Sequence, residues 1–512
     1  MRRWAQVNGM RQGGIALLVF VIVLALAAIA YALSDVSIVQ VRYAEKLKTQ
    51  TALKQAKQAL LDYALTYEDD HPGEYGFLPC PDTGEDMIVE GGSHSTCGLK
   101  QVNTIGLFPW ASLETGVLKS GTDNCFWYAV SGEYKAAPKT DMLNEDTNGS
   151  MRVYDAEGVL KQGLLAQDRV VAIVIDPSNA LPGQNRTIDE ETLCGKDYDP
   201  ASGNEYKYVE YLEGNGVIDN SDLSGVALDV DDFITKSHVS DTLTLPFNDR
   251  VITITRDELW DAIRSRKDFV ENSDSAMRRL TEALALCIAS YGNNSGNRKL
   301  PRPAAVDFSG NDYRDDVNYK DTAAASYLGR YPYNVEQSDK DLGTNTTSGD
   351  PNAPNSTEPV LFKKGFCDAL VVTGGAVIDL DPTPQSPPTP PKPPEGYMTW
   401  KNWKDHFFYA VSSYYAPGST PDTGIPCDAT NCITVNGVRY AGVVLYAGSR
   451  IGTLVRNQPI PIAGDVDTKN LLTNYIEVNN PTGDGTGDYT PKGNDIAFCI
   501  KDENPLTVVS CP

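Results

Sequence analysis

The opening of the chain carries two hydrophobic patterns end to end. From 15 to 33 it reads IALLVFVIVLALAAIAYAL, nineteen residues without a charge. As a helix rising about 1.5 Å per residue, such a run is long enough for the roughly 30 Å of a bilayer core. Beyond it, Ala52, Ala56, Ala59, Leu60, Tyr63 and Tyr67 recur at three- and four-residue steps, the apolar stripe of an amphipathic helix. No Gly or Pro interrupts the stretch from Ile15 to Tyr67. The two patterns therefore predict one continuous helix of about 53 residues, roughly 80 Å long, ended by His71-Pro72-Gly73. Arg2, Arg3 and Arg11 precede the apolar run and Asp35 follows it, which orients the N-terminus toward the cytoplasm and the rest outward. A cleaved signal peptide and a plain signal anchor are the alternatives. The run exceeds the usual apolar length of about 7–15 residues for a signal peptide.

The later chain repeats itself. ALLDYALTY, FLPCPD, IGLFPW and FWYAVS in the first half are answered, in the same order, by ALALCIASY, KLPRPA, LGRYPY and FFYAVS. Tyr67 and Tyr291 are 224 apart, Pro79 and Pro301 are 222 apart, and Pro109 and Pro332 are 223 apart. RVVAIVIDP (169–177) answers YAGVVLYAG (440–448), YVEYLEGNG answers YIEVNNPTG, and NDRVITITRDE (248–258) answers NDIAFCIKDE (494–503). One such pair is coincidence; so many in the same order imply a tandem duplication. Each unit reads as a helix, an irregular Cys- and Pro-bearing loop, then short β-branched strands. The second unit is expected to open on its own packing helix from about Thr255 to Tyr291. Asp257 and Glu258 at its start suit the helix dipole.

The fold class expected is α+β: a long N-terminal transmembrane-plus-amphipathic helix, then two heads with antiparallel sheets. The segments are a leader at 1–14, the helix at 15–67, a first head at 68–254 and a second at 255–512. An insertion at 345–396 sets the second YAVS 281 residues after the first, rather than the 223 of the earlier landmarks. It holds an Asn/Thr/Ser/Pro-rich part (345–358) and DPTPQSPPTPPKPPEG (381–396), which suits an extended polyproline arm. That arm reads as an exposed spacer, with partner recognition as the alternative.

Composition narrows the function. With 44 Lys+Arg against 68 Asp+Glu, the net charge of −24 and the lack of a Lys/Arg block argue against a nucleic-acid partner, which needs a concentrated basic surface. Four scattered histidines, His71, His94, His238 and His406, leave little for imidazole catalysis. No nucleophile elbow, HExxH helix or phosphate loop occurs, and an enzyme is not expected. The aromatics of CFWYAVS and DHFFYAVS alternate as core strands do, more than as a carbohydrate platform.

The ten cysteines are Cys80, Cys97, Cys125, Cys194, Cys287, Cys367, Cys427, Cys432, Cys499 and Cys511. An even count in an exported chain favours disulfides, and the absence of CxxC disfavours zinc. Short closures are natural for Cys80–Cys97, Cys427–Cys432 and Cys499–Cys511. Cys287, on a helical stripe, is either a buried thiol or a partner of Cys367. Asn144-Glu145-Asp146-Thr147-Asn148-Gly149, with Asp155 at the twelfth place, partly imitates a calcium loop, and 81–86 is a second oxygen-rich turn. Such clusters mostly make turns, so no cofactor or metal is expected, calcium being the one candidate.

A basic leader ending Arg11-Gln12-Gly13-Gly14, an apolar stretch at once after it, and an unbroken helix into an outer domain resemble type IV pilin-like proteins and pseudopilins. The resemblance implies cleavage after Gly14 by a prepilin peptidase, leaving Ile15 as the new N-terminus. Most major pilins carry glutamate five places after the cut, where this chain has Val19, and begin with Phe rather than Ile15. Lacking that glutamate is typical of a minor or tip subunit. The resemblance further implies a start in the bacterial inner membrane as a single-pass protein with a periplasmic C-terminal region. A periplasmic or extracellular filament of a pilus or type II secretion system would follow. The partners implied are other pilin-like subunits, the peptidase and the inner membrane. The alternative is a membrane-anchored adhesin or receptor that never enters a filament.

Overall fold

The uninterrupted helical signal becomes α1, Gln12–Asp70, 59 residues and about 88 Å long in the computed structural model. The structure describes residues 12–83, 89–186, 194–195, 210–236, 247–271, 274–294, 298–322, 326–338, 360–362, 366–384, 392–418, 427–452, 454–457, 466–476, 487–490 and 494–512. Within α1, side chains are described at 17–26 and from 40 onward.

Among the described residues, no helix is long and apolar enough to cross a membrane. The described apolar side chains at 17–26 rise only about 15 Å, half of a hydrocarbon core. The transmembrane part of the expected fold, and with it the single-pass inner-membrane placement, is therefore corrected. The other half of α1 is a packing helix. Ala52, Leu53, Ala56, Leu60, Ala64 and Tyr67 are buried in the main core. Lys57 donates to the Thr253 carbonyl at 2.8 Å and pairs with Glu258 at 2.7 Å.

The strands are β1 Thr104–Leu107, β2 Trp127–Val130, β3 Met151–Asp155, β4 Leu160–Gln162, β5 Val170–Asp176, β6 Asp231–Thr235 and β7 Arg250–Thr255. Helices α2 (Arg256–Arg264) and α3 (Ala276–Asn294) follow, then β8 Leu328–Arg330, β9 Leu370–Val371, β10 Val377–Ile378 and α4 Glu395–Trp403. The chain closes with β11 Phe407–Val411, β12 Ile433–Val435, β13 Val438–Tyr440, β14 Gly442–Tyr446, β15 Asp488–Tyr489, β16 Ile496–Ile500 and β17 Val508–Ser510. The first sheet runs β1-β2-β5-β3-β4, with β6 beside β3 and β7 beside β5; the second runs β17-β16-β14-β11-β8. Inside them, β1-β2-β5-β7 and β8-β11-β14-β16 have the same order, and every one of those pairs is antiparallel. Gly106 faces Tyr128, which faces Val174, which faces Ile252; Gly329, Tyr409, Val444 and Phe498 stand in the same succession. Val174 thus corresponds to Val444, one residue away from the pairing that the two sequence segments suggest. The sheets are not wholly antiparallel: β3–β6 in the first is parallel, and so is β12–β15 in a separate three-stranded sheet of order β13-β12-β15.

Strand alternation divides the core into layers. Tyr128, Val130, Phe407, Tyr409, Val444 and Tyr446 join one contiguous core with α1, α2 and α3. Trp127, Ala129 and Ile173 face a second cluster, and Phe408, Ala410, Val443 and Leu445 a third. Both faces of these strands are covered, so they read as apolar runs. The two heads share one helical layer and follow one another without a linker. Thr255 ends β7 and caps α2, its hydroxyl accepting from the Glu258 amide at 3.3 Å. The expected single helix from Thr255 to Tyr291 is broken after Arg264 by a π turn at Lys267–Glu271, which seats Phe269 against Trp403.

Five disulfides are present: Cys80–Cys97, Cys125–Cys194, Cys287–Cys367, Cys427–Cys432 and Cys499–Cys511, with Cα separations of 4.9–5.7 Å. All ten cysteines are used. The insertion at 345–358, 208–209 of YVEYLEGNG and 477–483 of YIEVNNPTG lie outside the described residues, as does 385–391 of the proline-rich arm.

One steric requirement occurs in both heads. The loop after the helix bridges the first strand, Asp82 to Leu107 in one head and Ala304 to Arg330 in the other. A Cβ on Gly106 would lie 2.6 Å from the Asp82 carbonyl oxygen, and one on Gly329 would lie 1.9 Å from that of Ala304. Gly106→Ala and Gly329→Ala should each cost about 1–3 kcal/mol by forcing the backbones apart, Gly329→Ala the more. Urea unfolding measures this; an unchanged midpoint for Gly329→Ala would refute the packing.

Candidate functional site

The strongest concentration of chemistry lies where the heads meet. After Met142 and Leu143, which are fully buried, the chain turns at Asn144, whose side-chain oxygen accepts from the Asp146 amide at 3.0 Å. This small Asx turn aims three polar side chains into the second head. Asn144 donates to the Asn402 carbonyl and to Asp405 Oδ1, both at 2.8 Å. Asn402, on α4, accepts from the Leu143 amide at 3.1 Å and donates to the Gly73 carbonyl at 3.2 Å. The turn is thus stitched to the end of α4 before any charge is counted.

The charges then interlock. Glu145 Oε2 accepts from Arg264 at 2.7 Å, and its Oε1 lies 3.7 Å from Arg456 Nη1. Asp146 lies 3.1 Å from His406 Nε2, 3.8 Å from Lys469 Nζ and 3.6 Å from Arg450 Nε. Asp405 takes His406 Nδ1 at 3.0 Å on one side and Lys469 Nζ on the other. Asp146, Asp405, His406 and Lys469 are fully buried, and Glu145 nearly so. Arg330 closes the floor, donating to the Asp405 and Lys469 carbonyls beneath Tyr313, Tyr475 and Phe408. Arg456 donates to the Gly448 and Asn474 carbonyls and stacks 4.5 Å over Tyr475. A second, smaller link joins Glu133 of the first head to Arg314 of the second at 2.8 Å.

Burial alone would raise the Asp146 and Asp405 carboxyls. His406 and Lys469 outweigh it and hold both well below the usual carboxylate range. Burial likewise pushes His406 down, but Asp405 and Asp146 together lift it above its ordinary value. The cluster is therefore a carboxylate–imidazolium network. Glu145, Asp146 and His406 do place three ligand-type atoms within 4.8 Å of one another. They fit a metal poorly, because Arg264, Arg450, Arg456 and Lys469 already supply positive charge around the same carboxylates. Cys427, Cys432 and Asp502 also gather, but both sulfurs are bound in a disulfide.

The calcium-like loop does not close as a loop. Asn144 and Asp146 point into the second head, whereas Asp155 receives the Val159 amide at 2.8 Å and pairs with Lys161 at 2.5 Å. Asn148 joins Asn457 and Arg256. In the second acidic turn, Asp82 accepts from the Gly91 amide at 2.9 Å, while 84–86 lies outside the described residues. Gly14 and Ile15 lie in the first turns of α1. Sequence reasoning did not anticipate Asp405, Lys469, Arg456 or Arg264 as partners of the 144–146 turn. Asn144 and Asp405 are 261 residues apart, and no periodicity or motif encodes a pairing at that range.

Removing one member of such a network leaves buried charge uncompensated. Asp146→Ala should cost about 3–5 kcal/mol in urea unfolding, and a loss below 1 kcal/mol would contradict this geometry. The pH dependence is two-sided. The depressed carboxylates contribute fully above about pH 3.9, and this is lost as pH falls through their folded values. The raised histidine contributes fully below about pH 6.5, and this is lost as pH rises through its folded value. Tm should peak between those limits, and His406→Asn should flatten the alkaline limb and also weaken the acid one, because His406 helps hold Asp146 and Asp405 down. No known protein family, curated protein or solved structure matches the chain.

Proposed function

We propose that the protein is a minor, pilin-like structural subunit that assembles through α1 and presents a fused, disulfide-bonded double head. One observation carries this reading. The part of α1 that precedes the head-packed stripe holds large apolar side chains at 17–26 that are 48–67% exposed. Ten consecutive exposed apolar positions on a helix are an unfilled interface. Equivalent helices of other subunits cover such a surface by side-by-side packing. The other half of the helix is fixed to the heads, so whatever α1 binds carries them rigidly.

The remaining features agree with a non-covalent, structural role. Five disulfides suit an oxidising environment. The most elaborate polar cluster joins the heads and is sealed from solvent, which suits holding rather than turnover. The leader residues Arg11-Gln12-Gly13-Gly14 and the absence of glutamate at Val19 support a subunit cut after Gly14 and placed at a filament end rather than along its shaft.

The test is the N-terminal mass of the native protein with and without prepilin peptidase. A start at Ile15 that depends on the peptidase is expected; an intact Met1 in both strains would remove the pilin-like reading. Val23→Asp should then abolish co-sedimentation with partner subunits, at least tenfold, while leaving the Tm of the heads unchanged.

A further inference from the structure

One ion pair inside the head junction has the parts of a bond-forming site. Lys469 and Asp405 are both fully buried and meet directly, Nζ against Oδ2. Arg330 donates to the main-chain carbonyls of both residues, so a single guanidinium fixes the two backbones that present them. The other oxygen of Asp405, Oδ1, accepts from Asn144 Nδ2 at 2.8 Å and lies 3.0 Å from His406 Nδ1. A second carboxylate stands beside the nitrogen: Asp146 Oδ2 is 3.8 Å from Lys469 Nζ and 3.1 Å from His406 Nε2. Asp146 Oδ1 is buried and takes no hydrogen bond. Trp403, Tyr446 and Tyr475 pack around His406, and the whole group is sealed from solvent.

Amide formation needs an amine held against a carboxyl group, donors on the oxygen that gains charge, and a neighbour that carries protons. All three are in place here. We propose that Lys469 and Asp405 condense to an isopeptide bond, in a single reaction that the chain performs on itself. Lys469 gives one ammonium proton to Asp146, and the freed lone pair bonds to Asp405 Cγ. The carbonyl electron pair moves onto Oδ1, where Asn144 and His406 stabilise the oxyanion. Asp146 passes its proton to Oδ2, a second proton follows from the nitrogen, and Oδ2 leaves as water. One ammonium and one carboxylate become one secondary amide and one water, with no oxidant, metal or energy carrier. Burial favours this direction, because a neutral amide replaces two charges that a water-free interior penalises.

Asn144 and Asp146 belong to the first head, and Asp405, His406 and Lys469 to the second, so the site is complete only once the heads have docked. The bond then joins residues 64 apart and closes a loop around β11 to β14. A pull between α1 and the C-terminus can no longer draw those strands out. Lys404 and Asp316 form a similar close pair, but the Asp316 side chain is 22% exposed. No second carboxylate pairs with Lys404 among the described residues, and that pair stays ionic.

The experiment is mass spectrometry of the purified full-length chain after reduction and alkylation of its cysteines. The intact mass should fall short of the sequence mass by one water. A tryptic digest should contain the peptide bearing Asp405 joined through its side chain to Lys469, where trypsin no longer cleaves. Lys469→Arg should restore the full mass. Asp405→Asn should still crosslink, now losing ammonia in place of water. Asp146→Asn should lower the crosslinked fraction at least tenfold while circular dichroism shows the heads folded. The unaltered chain decides the bond itself, whatever the variants do to folding. Its appearance at full mass, or a bond between Lys404 and Asp316 instead, would overturn the proposal. Full crosslinking of a folded Asp146→Asn chain would overturn the part assigned to that carboxylate. These outcomes do not depend on how α1 assembles, so a failure here leaves the proposed function standing.

Discussion

The burial of opposite charges between the two heads is the constraint on which the rest of the molecule depends. Glu145 and Asp146 leave water entirely, and so do His406, Lys469 and Arg456. Such a transfer is tolerated only if every charge keeps its partners at short range, and the geometry must then be held by everything around it. Asn144 fixes the turn, Arg330 ties the short helical turn that bears His406 to the 469 segment, and Trp403 lies edge-on to both Trp260 and His406. The network adds less to net stability than an equal volume of hydrocarbon would. What it supplies is a single permitted orientation, because any other docking of the heads strands a charge.

Much of the local structure was legible in the residues, for identifiable reasons. The helical stripe ending at Tyr67 appears as the buried face of α1, since a 3.6-residue period survives any tertiary context. The short strands carry alternating faces and bury both. Landmarks such as YAVS fall at equal places in the two sheets, because Tyr128 and Tyr409 sit opposite Gly106 and Gly329. The YAGVVLYAG pairing was out by one residue: with apolar residues on both faces, nothing in composition fixes strand register.

Other features were not legible. The 144–149 loop looks like a cation site because Asn, Asp and Gly serve turns and metals alike. Only the arrival of His406 and Lys469 from more than 250 residues away decides which role it has. The apolar run suggested a membrane span by length. The described residues of α1 offer no such span, and an apolar helix surface is satisfied equally by lipid or by other helices, which composition cannot distinguish. The break between α2 and α3 likewise depends on Phe269 turning toward Trp403, a contact decided by the second head.

The direct join of β7 to α2 has a geometric effect. With Thr255 serving both as last strand residue and as helix cap, there is no segment about which the second head can swing. Its direction is set by the axis of α1 as firmly as that of the first head. In any ordered array of these chains, the outer heads would therefore stand at one fixed angle and one fixed spacing. The array would have a rigid, corrugated outline whose pitch is determined entirely by how the helices stack inside it.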